Sequence, residues 1–547
     1  MFCFTLAAYA VPARPGHTRQ LTLDDGTTVT ACLVGDEYGH YWLAQDGKAY
    51  LKDGDTYRLV DRQAIQESAR ASRDEANERR AKRLAPAHGK GQNNYTGHKK
   101  GLIILVDFQD MHFRGNNDQA MFYRLANEKN LNMPPFQGSV HDYFYDQSGG
   151  KFQLDFDVVG PFTLSREFSF YGKNDRRGKD INAGQMVIEA LKLADSQVYY
   201  PDYDWNGNGV VDQVLLVYAG LGEEDGGPED AIWAHEFTLS RAYLAGDGGG
   251  AQFLDGVIID TYACSCELNS YNLINGIGTM CHEFSHCLGF PDFYDKDYSG
   301  GQGMINWDLM DEGSNNNSGY KPCGYTSYER WVAGWQEPIE LSSTTSVSNM
   351  KSLQDGGEFY IIYNNGHPDE FFLMENRQKT GWDADIPGAG LLILHVDYDR
   401  DVWLTNSVND DPGHQRMTWI PADNKYQSRF YSGNRYYTRE GAANDPFPYD
   451  SINAFNANTT PAAIFYNLNS DGTYYLDSSV EDITQNSDGT ISFLFVGSTS
   501  DDVRPIRDNI GASTGQWYNL GGQPLDGTPV RPGIHLNSNG QKVMIRK

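Results

Sequence analysis

The run CHEFSHCLGFPDFYD, from Cys281 to Asp295, sets two histidines four residues apart with a glutamate directly after the first. With 13 His and 73 acidic residues in 547, a shuffled chain would contain His-acid-x-x-His about 0.04 times. Adding the glycine and second acid at their observed spacing lowers this to on the order of 0.001. Positions i and i+4 share one face of a helix, so His282 and His286 can aim their imidazoles at a single zinc ion. Glu283 sits beside the first ligand without being one, the place of a general base acting on a metal-activated water. Gly289 tolerates the left-handed conformation that ends a helix, and Pro291 keeps the helix from resuming. The chain can then turn back and offer Asp292 as third ligand. The bland alternative is a buried helix whose histidines are satisfied by hydrogen bonds, and the shuffle frequency weighs against it.

The pattern His-Glu-x-x-His-x-x-Gly-x-x-Asp resembles the metzincin zinc motif with an Asp in place of its third His. That resemblance implies a methionine-containing turn under the metal, and WDLMDEGS puts Met310 where it belongs. Taken alone, a methionine there would be ordinary core. Further segments widen the resemblance: KKGLIILVDFQDMHF, SVHDYFYDQSGGKFQLDFDVVGPF, DYDWNGNGVVDQVLLVYAG and FFLMENRQKTGWDADIPGAGLLILHVDYD. Together with the histidine motif they follow the order found in immune inhibitor A-type secreted metallopeptidases, over about residues 99–400. The resemblance implies a secreted zinc endopeptidase with an N-terminal pro-segment. Two assignments stay open. Glu329, in YTSYERWVAGW, competes with Asp292 for the third ligand, and Tyr320 and Tyr325 are both candidates to donate to the oxyanion.

A second ion is suggested by DWNGNGVVD. Oxygen-bearing residues stand at positions 1, 3, 5 and 9 with Gly209 at position 6, as in the first part of an EF-hand loop, although the glutamate of position 12 is missing. Structural calcium would be held by Asp204, Asn206, Asn208, the Val210 carbonyl and Asp212. A Gly/Asn-rich turn without an ion is the competing reading. His395 and His414 are available ligands on paper, but a lone histidine in a strand is more often structural.

These groups need a scaffold, and 547 residues suffice for three or four folding units. Residues 1–10 read as the end of a signal peptide, with Ala8-Tyr9-Ala10 before a cleavage point. Residues 11–97 read as a small antiparallel β pro-segment, a charged helix and a polar linker, with Arg79-Arg80 and Lys82-Arg83 open to processing of a zymogen. Strands such as GLIILVDF and DQVLLVYAG alternate with helical stretches over 98–340, which predicts a mixed α/β, metzincin-like catalytic domain. Short strands with turn signals fill 341–500, as in a β-rich, sandwich-like domain. Residues 501–547 form a β tail that weakly resembles a type IX secretion-sorting segment, which would engage bacterial secretion machinery.

Charge and apolar runs narrow the partners. With 44 basic and 73 acidic residues the net charge is −29, which disfavours nucleic acid. No run of about 18 apolar residues would span a membrane as a helix. A protein or peptide substrate, an extracellular or cell-surface location and a monomer are expected. Six of the seven cysteines remain after leader removal, an even set compatible with disulfides of open connectivity; Cys281 and Cys287 flank the metal helix and Cys264 and Cys266 come just before it, so bridges among them would brace the site. The function from a different class is an adhesin that uses the peptidase fold and β domain to bind host protein or glycan. An intact Glu283 argues against a purely non-catalytic scaffold.

Overall fold

The computed structural model describes residues 12–13, 18–36, 38–77, 95–175, 178–297, 299–426 and 441–498. Of the C-terminal stretch it describes four short strands over 517–519, 524–525, 533–537 and 542–545. The expected signal peptide at 1–10 and the basic pairs at 79–80 and 82–83 lie outside the described residues.

The central region is a mixed α/β layer. Its five-stranded sheet runs, edge to edge, His235–Thr238, Thr261–Leu268, Val214–Leu221, Gly97–Asp107 and Phe152–Thr163. All pairs are parallel except the His235–Thr238 edge. Parallel strands covered on both faces read as continuous apolar runs, which explains LIILV and VLLVYA. Alternation divides the core: Ile103 and Leu105 face the layer that holds the metal-motif helix, whereas Leu102, Ile104 and Val106 face the helix Ala183–Ala194. The crossover from Gly97–Asp107 to Phe152–Thr163 contains helix Val140–Gln147, started by a reciprocal capping box between Ser139 and Asp142.

A second five-stranded sheet is built from Ile339–Glu340, Tyr360–Tyr363, Glu370–Arg377, Gly390–Asp397 and Met417–Trp419. Phe371 and Leu373 of its Glu370–Arg377 strand join the same core as the motif helix. Phe372 and Met374, on the opposite face, pack with Phe493 and Phe495 of a three-stranded sheet. Residues on either side of position 340 therefore share one core.

The N-terminal part is a five-stranded antiparallel sheet over Thr18–Val60 followed by the helix Arg62–Asn77. It docks on the central region. Arg19 donates to the carbonyls of Gly226 and Gly227 at 3.2 and 3.0 Å, Trp42 donates to Glu229, and His40 meets Glu223 at 2.9 Å. Arg70 of the helix pairs with Asp297 through Nε at 3.0 Å, five residues beyond Asp292.

No disulfide joins Cys32, Cys264, Cys266, Cys281, Cys287 or Cys323 among the described residues, so the expected braces are absent there. Strand pleating is the reason: Cys264 and Cys266 both point to the sheet face away from the motif helix, while Cys281 points into the layer on the other side.

Candidate metal centre

The helix Gly278–Cys287 carries the motif. It starts where the backbone passes very close to residues 314–320: a Cβ on Gly278 would lie 1.9 Å from the Ser314 carbonyl oxygen. Only glycine fits that crossing. The helix ends at Gly289, with φ +92° and its N–H on the His286 carbonyl, a left-handed exit of the kind its sequence position predicts.

Each motif histidine is oriented from behind. His282 Nδ1 is 2.8 Å from the Leu309 carbonyl and His286 Nδ1 is 2.7 Å from the Phe290 carbonyl. A carbonyl oxygen can only accept, so both protons sit on Nδ1 and, in the neutral rings, both Nε2 atoms present lone pairs. The two rings stand 4.8 Å apart at 89°. Between them comes Asp292, whose Oδ1 lies 3.2 Å from His282 Nε2 and 3.6 Å from His286 Nε2.

Three ligand-type atoms thus converge on one point. The ligand atoms of His282, His286 and Asp292 all lie within 4.8 Å of one another, and all three residues are buried. His282 Nε2 and Asp292 Oδ1 have no hydrogen-bond partner among the described residues. Buried acceptors facing one another are costly unless something positive lies between them. Two imidazoles and a carboxylate are the protein donor set of a catalytic zinc-type centre, so the residues fit a metal cation.

The family model described as Immune inhibitor A peptidase M6, catalytic domain, matches residues 88–335. Over those residues the chain matches an immune inhibitor A-type metallopeptidase catalytic domain. Among similar proteins, Pre-pro-metalloprotease PrtV of Vibrio cholerae serotype O1 (strain M66-2) is 28% identical over 269 residues, covering 42% of this chain and 29% of that protein. Immune inhibitor A of Bacillus thuringiensis subsp. alesti is 27% identical over 307 residues, covering 47% of this chain and 43% of that protein. The chain thus spans less than half the length of these curated relatives.

Within the M6 domain, the alternative ligand Glu329 is placed elsewhere. Its Oε2 accepts from the Thr326 amide at 2.7 Å, closing the capping box of its own helix Ser327–Val332. Burial and the neighbouring Asp308 push its pKa well up, and Asp308 is itself raised to about 7, chiefly by burial. Of the two acids left open by the sequence, Asp292 is the one brought to the histidines.

Met310 is fully buried in the core beneath the motif helix. Its carbonyl accepts the Phe293 N–H at 2.9 Å, and the preceding carbonyl, of Leu309, is the one that orients His282. The turn thus ties the first histidine to the loop carrying Asp292. It is held in turn by buried Arg377, which donates to the Trp307 carbonyl at 3.1 Å while pairing with Glu375 and Asp383 at 2.9 and 2.8 Å.

Glu283 is fully buried on the motif helix, its carbonyl accepting from Gln213 at 3.1 Å. Tyr325 packs among Tyr143, Phe290 and Trp335 with its hydroxyl on Ser285. The Tyr320 hydroxyl donates to the Ile274 carbonyl and accepts from Asn269, both at 2.9 Å. Both hydroxyls are thus engaged, Tyr325 with the motif helix itself and Tyr320 with Ile274 and Asn269.

The loop Asp204–Asp212 is wound tightly around its first residue. Asp204 accepts from the amides of Gly207, Asn208 and Gly209, Asn206 and Asn208 accept from amides two residues on, and Asp212 accepts from Trp205. Val210 forms a bridge with Ile258. Gly207 and Gly209 both have positive φ, 70° and 83°.

One residue at the centre was invisible to motif reasoning. Asn406, buried and 114 residues downstream, accepts the Asp292 N–H on Oδ1 and donates Nδ2 to Asp292 Oδ2, each at 2.7 Å. Its only sequence signal is an asparagine at the end of a short helical stretch.

Proposed function

We propose that the chain is a secreted zinc endopeptidase, made as a zymogen. The observation that carries the reading is the convergence of His282 Nε2, His286 Nε2 and Asp292 Oδ1 within a buried centre. His282, His286 and Asp292 hold the zinc, which when bound supplies Lewis-acid polarisation of the scissile carbonyl and of a water. Glu283 accepts a proton from the attacking water and delivers it to the leaving amine. Leu309 and Phe290 keep the proton on Nδ1 of each histidine, so that Nε2 faces the metal in one tautomer. Met310 provides the apolar floor.

The zymogen reading is supported by burial: His282, Glu283, His286 and Asp292 are at most 2% exposed, so a polypeptide substrate cannot reach them without an opening. The N-terminal helix is anchored at Asp297, on the loop that carries Asp292. The similar protein from Vibrio cholerae is named a pre-pro-metalloprotease, in keeping with the leader and pro-segment read from this sequence. In the same reading, calcium held by Asp204, Asn206, Asn208, Val210 and Asp212 stiffens the approach to the strand Val214–Leu221.

The test combines elemental analysis with cleavage of an unfolded protein substrate before and after removal of the N-terminal segment. One zinc per chain, with turnover emerging on removal, is expected. Zinc without turnover in the trimmed chain would favour a binding protein, no zinc would dismiss the centre, and full activity of the untrimmed chain would remove the zymogen role.

A further inference from the structure

We infer that Asn406 is a positioning residue for the metal: it selects which oxygen of Asp292 faces the histidines, and so completes the centre from outside the M6 catalytic domain. This rests on the metal reading above. The short helix Arg400–Leu404 ends at Thr405, and Asn406 follows in the left-handed region with φ 48°. Glycine is the usual residue there, with asparagine the next most tolerant. Glycine would offer no side chain, whereas asparagine carries one acceptor and one donor on the same planar group.

Both are used on one residue. Asn406 Oδ1 takes the Asp292 N–H and Nδ2 gives to Asp292 Oδ2, each at 2.7 Å, a two-point clasp that fixes backbone and carboxylate together. With Oδ2 so engaged, Oδ1 is the oxygen left at 3.2 and 3.6 Å from the histidine Nε2 atoms. The same loop clamps the residues that follow. Asn409 donates to the Phe293 carbonyl at 2.7 Å, and Asp410 accepts the Lys296 N–H at 3.1 Å. Asn409 is itself fixed by the Met417 amide at 3.0 Å, in the second sheet. The third ligand is therefore presented by two elements 114 residues apart in sequence.

The test uses the full chain and two substitutions that both suit a left-handed backbone. Asn406→Gly deletes the clasp. Asn406→Asp keeps the acceptor for the Asp292 N–H but sets a carboxylate against Asp292 Oδ2. Zinc affinity is read by competition with a chromogenic chelator, beside the thermal midpoint of the metal-free protein and with His282→Ala as reference. Both Asn406 variants are expected to bind zinc about 10- to 100-fold more weakly than wild type, while the metal-free midpoint of Asn406→Gly moves by only a few degrees. Wild-type affinity in both variants overturns the inference, as does a lowered midpoint with the folded protein's affinity unchanged, which is a merely structural role. If His282→Ala loses zinc while the Asn406 variants do not, the metal reading stands and this one fails. A wild type that binds no zinc ends both.

Discussion

Two clusters of histidine and carboxylate lie in this molecule, and their residue types barely differ. At the first, His282, His286 and Asp292 face one another with lone pairs. At the second, in the sheet of residues 339–419, His367, Glu370 and Asp397 are gathered within the same 4.8 Å limit. There the carboxylates are already filled. Glu370 accepts from His395 Nε2 at 2.8 Å and the Tyr466 amide at 2.6 Å on one oxygen, and from the Asn467 amide and Asn364 on the other, both at 3.0 Å. Asp397 Oδ2 accepts from His414 at 2.6 Å and Arg416 at 2.8 Å. Composition does not make a metal site. What separates the clusters is whether the carboxylates are already served: at the first each histidine Nδ1 is spent on a backbone carbonyl and Nε2 is left facing Asp292 Oδ1, while at the second Glu370 and Asp397 already accept from His395 and His414 outside the group.

The widest separation between the clusters comes from deleting a ligand. His282→Ala is expected to remove zinc and reduce turnover to background, measured by elemental analysis and cleavage of a protein substrate. Zinc retained at one per chain would move the metal elsewhere. Glu283→Ala is expected to keep one zinc per chain and lose about 10²- to 10⁴-fold in turnover. An active Glu283→Ala protein would reassign the base.

The opposite signature belongs to the second cluster. Glu370→Ala leaves several buried donors without their acceptor, so a loss of about 3 kcal/mol in unfolding free energy is expected, with zinc content unchanged. A fall in zinc content instead would show that both clusters bind metal. Because hydrogen bonds from His395, Tyr466 and Asn467 outweigh burial and hold the Glu370 carboxyl below its usual range, its stabilisation is present above the ordinary carboxylate pKa. It is lost as pH falls through the lower, folded value. Acid unfolding of Glu370→Gln should accordingly be less steep than that of wild type.

The smallest expected effect concerns a third histidine–carboxylate contact, where the N-terminal sheet docks. Burial alone would lower the His40 pKa, but Glu223, with Asp180 and the Asp36 carbonyl, more than compensates and lifts it to about 8. A raised histidine stabilises the folded form fully below its unfolded value near 6.5 and loses that contribution as pH rises through about 8. Hydrogen exchange of the strand Gly39–Ala44 should therefore become less protected between these values, and His40→Gln should flatten that part of the profile. An unchanged profile in the variant would mean that other buried groups set it.

The motif could be read directly because its logic is local. The spacing of His282 and His286 is the pitch of a helix, and Gly289 and Pro291 announce where that helix stops, so Glu283 and the return to Asp292 followed. The alternation of strand and helix over 98–340 likewise reflects near-neighbour burial, and the sheet it implied is present. The bridges expected from Cys264 and Cys266 failed because pleating, not proximity in sequence, decides which face a side chain takes.

Residue types and short-range geometry were enough to determine that this chain holds a metal motif on a helix, a helix-ending glycine beyond it and an acidic residue positioned to return. Tertiary structure alone decided that Asp292 rather than Glu329 reaches the histidines, that backbone carbonyls of Leu309 and Phe290 choose their tautomers, and that Asn406 clasps the carboxylate. The physical reason is range. Helix pitch and turn preference act over a few residues, whereas satisfying a buried polar atom requires whichever partner the packed core brings to it, here from 114 residues away.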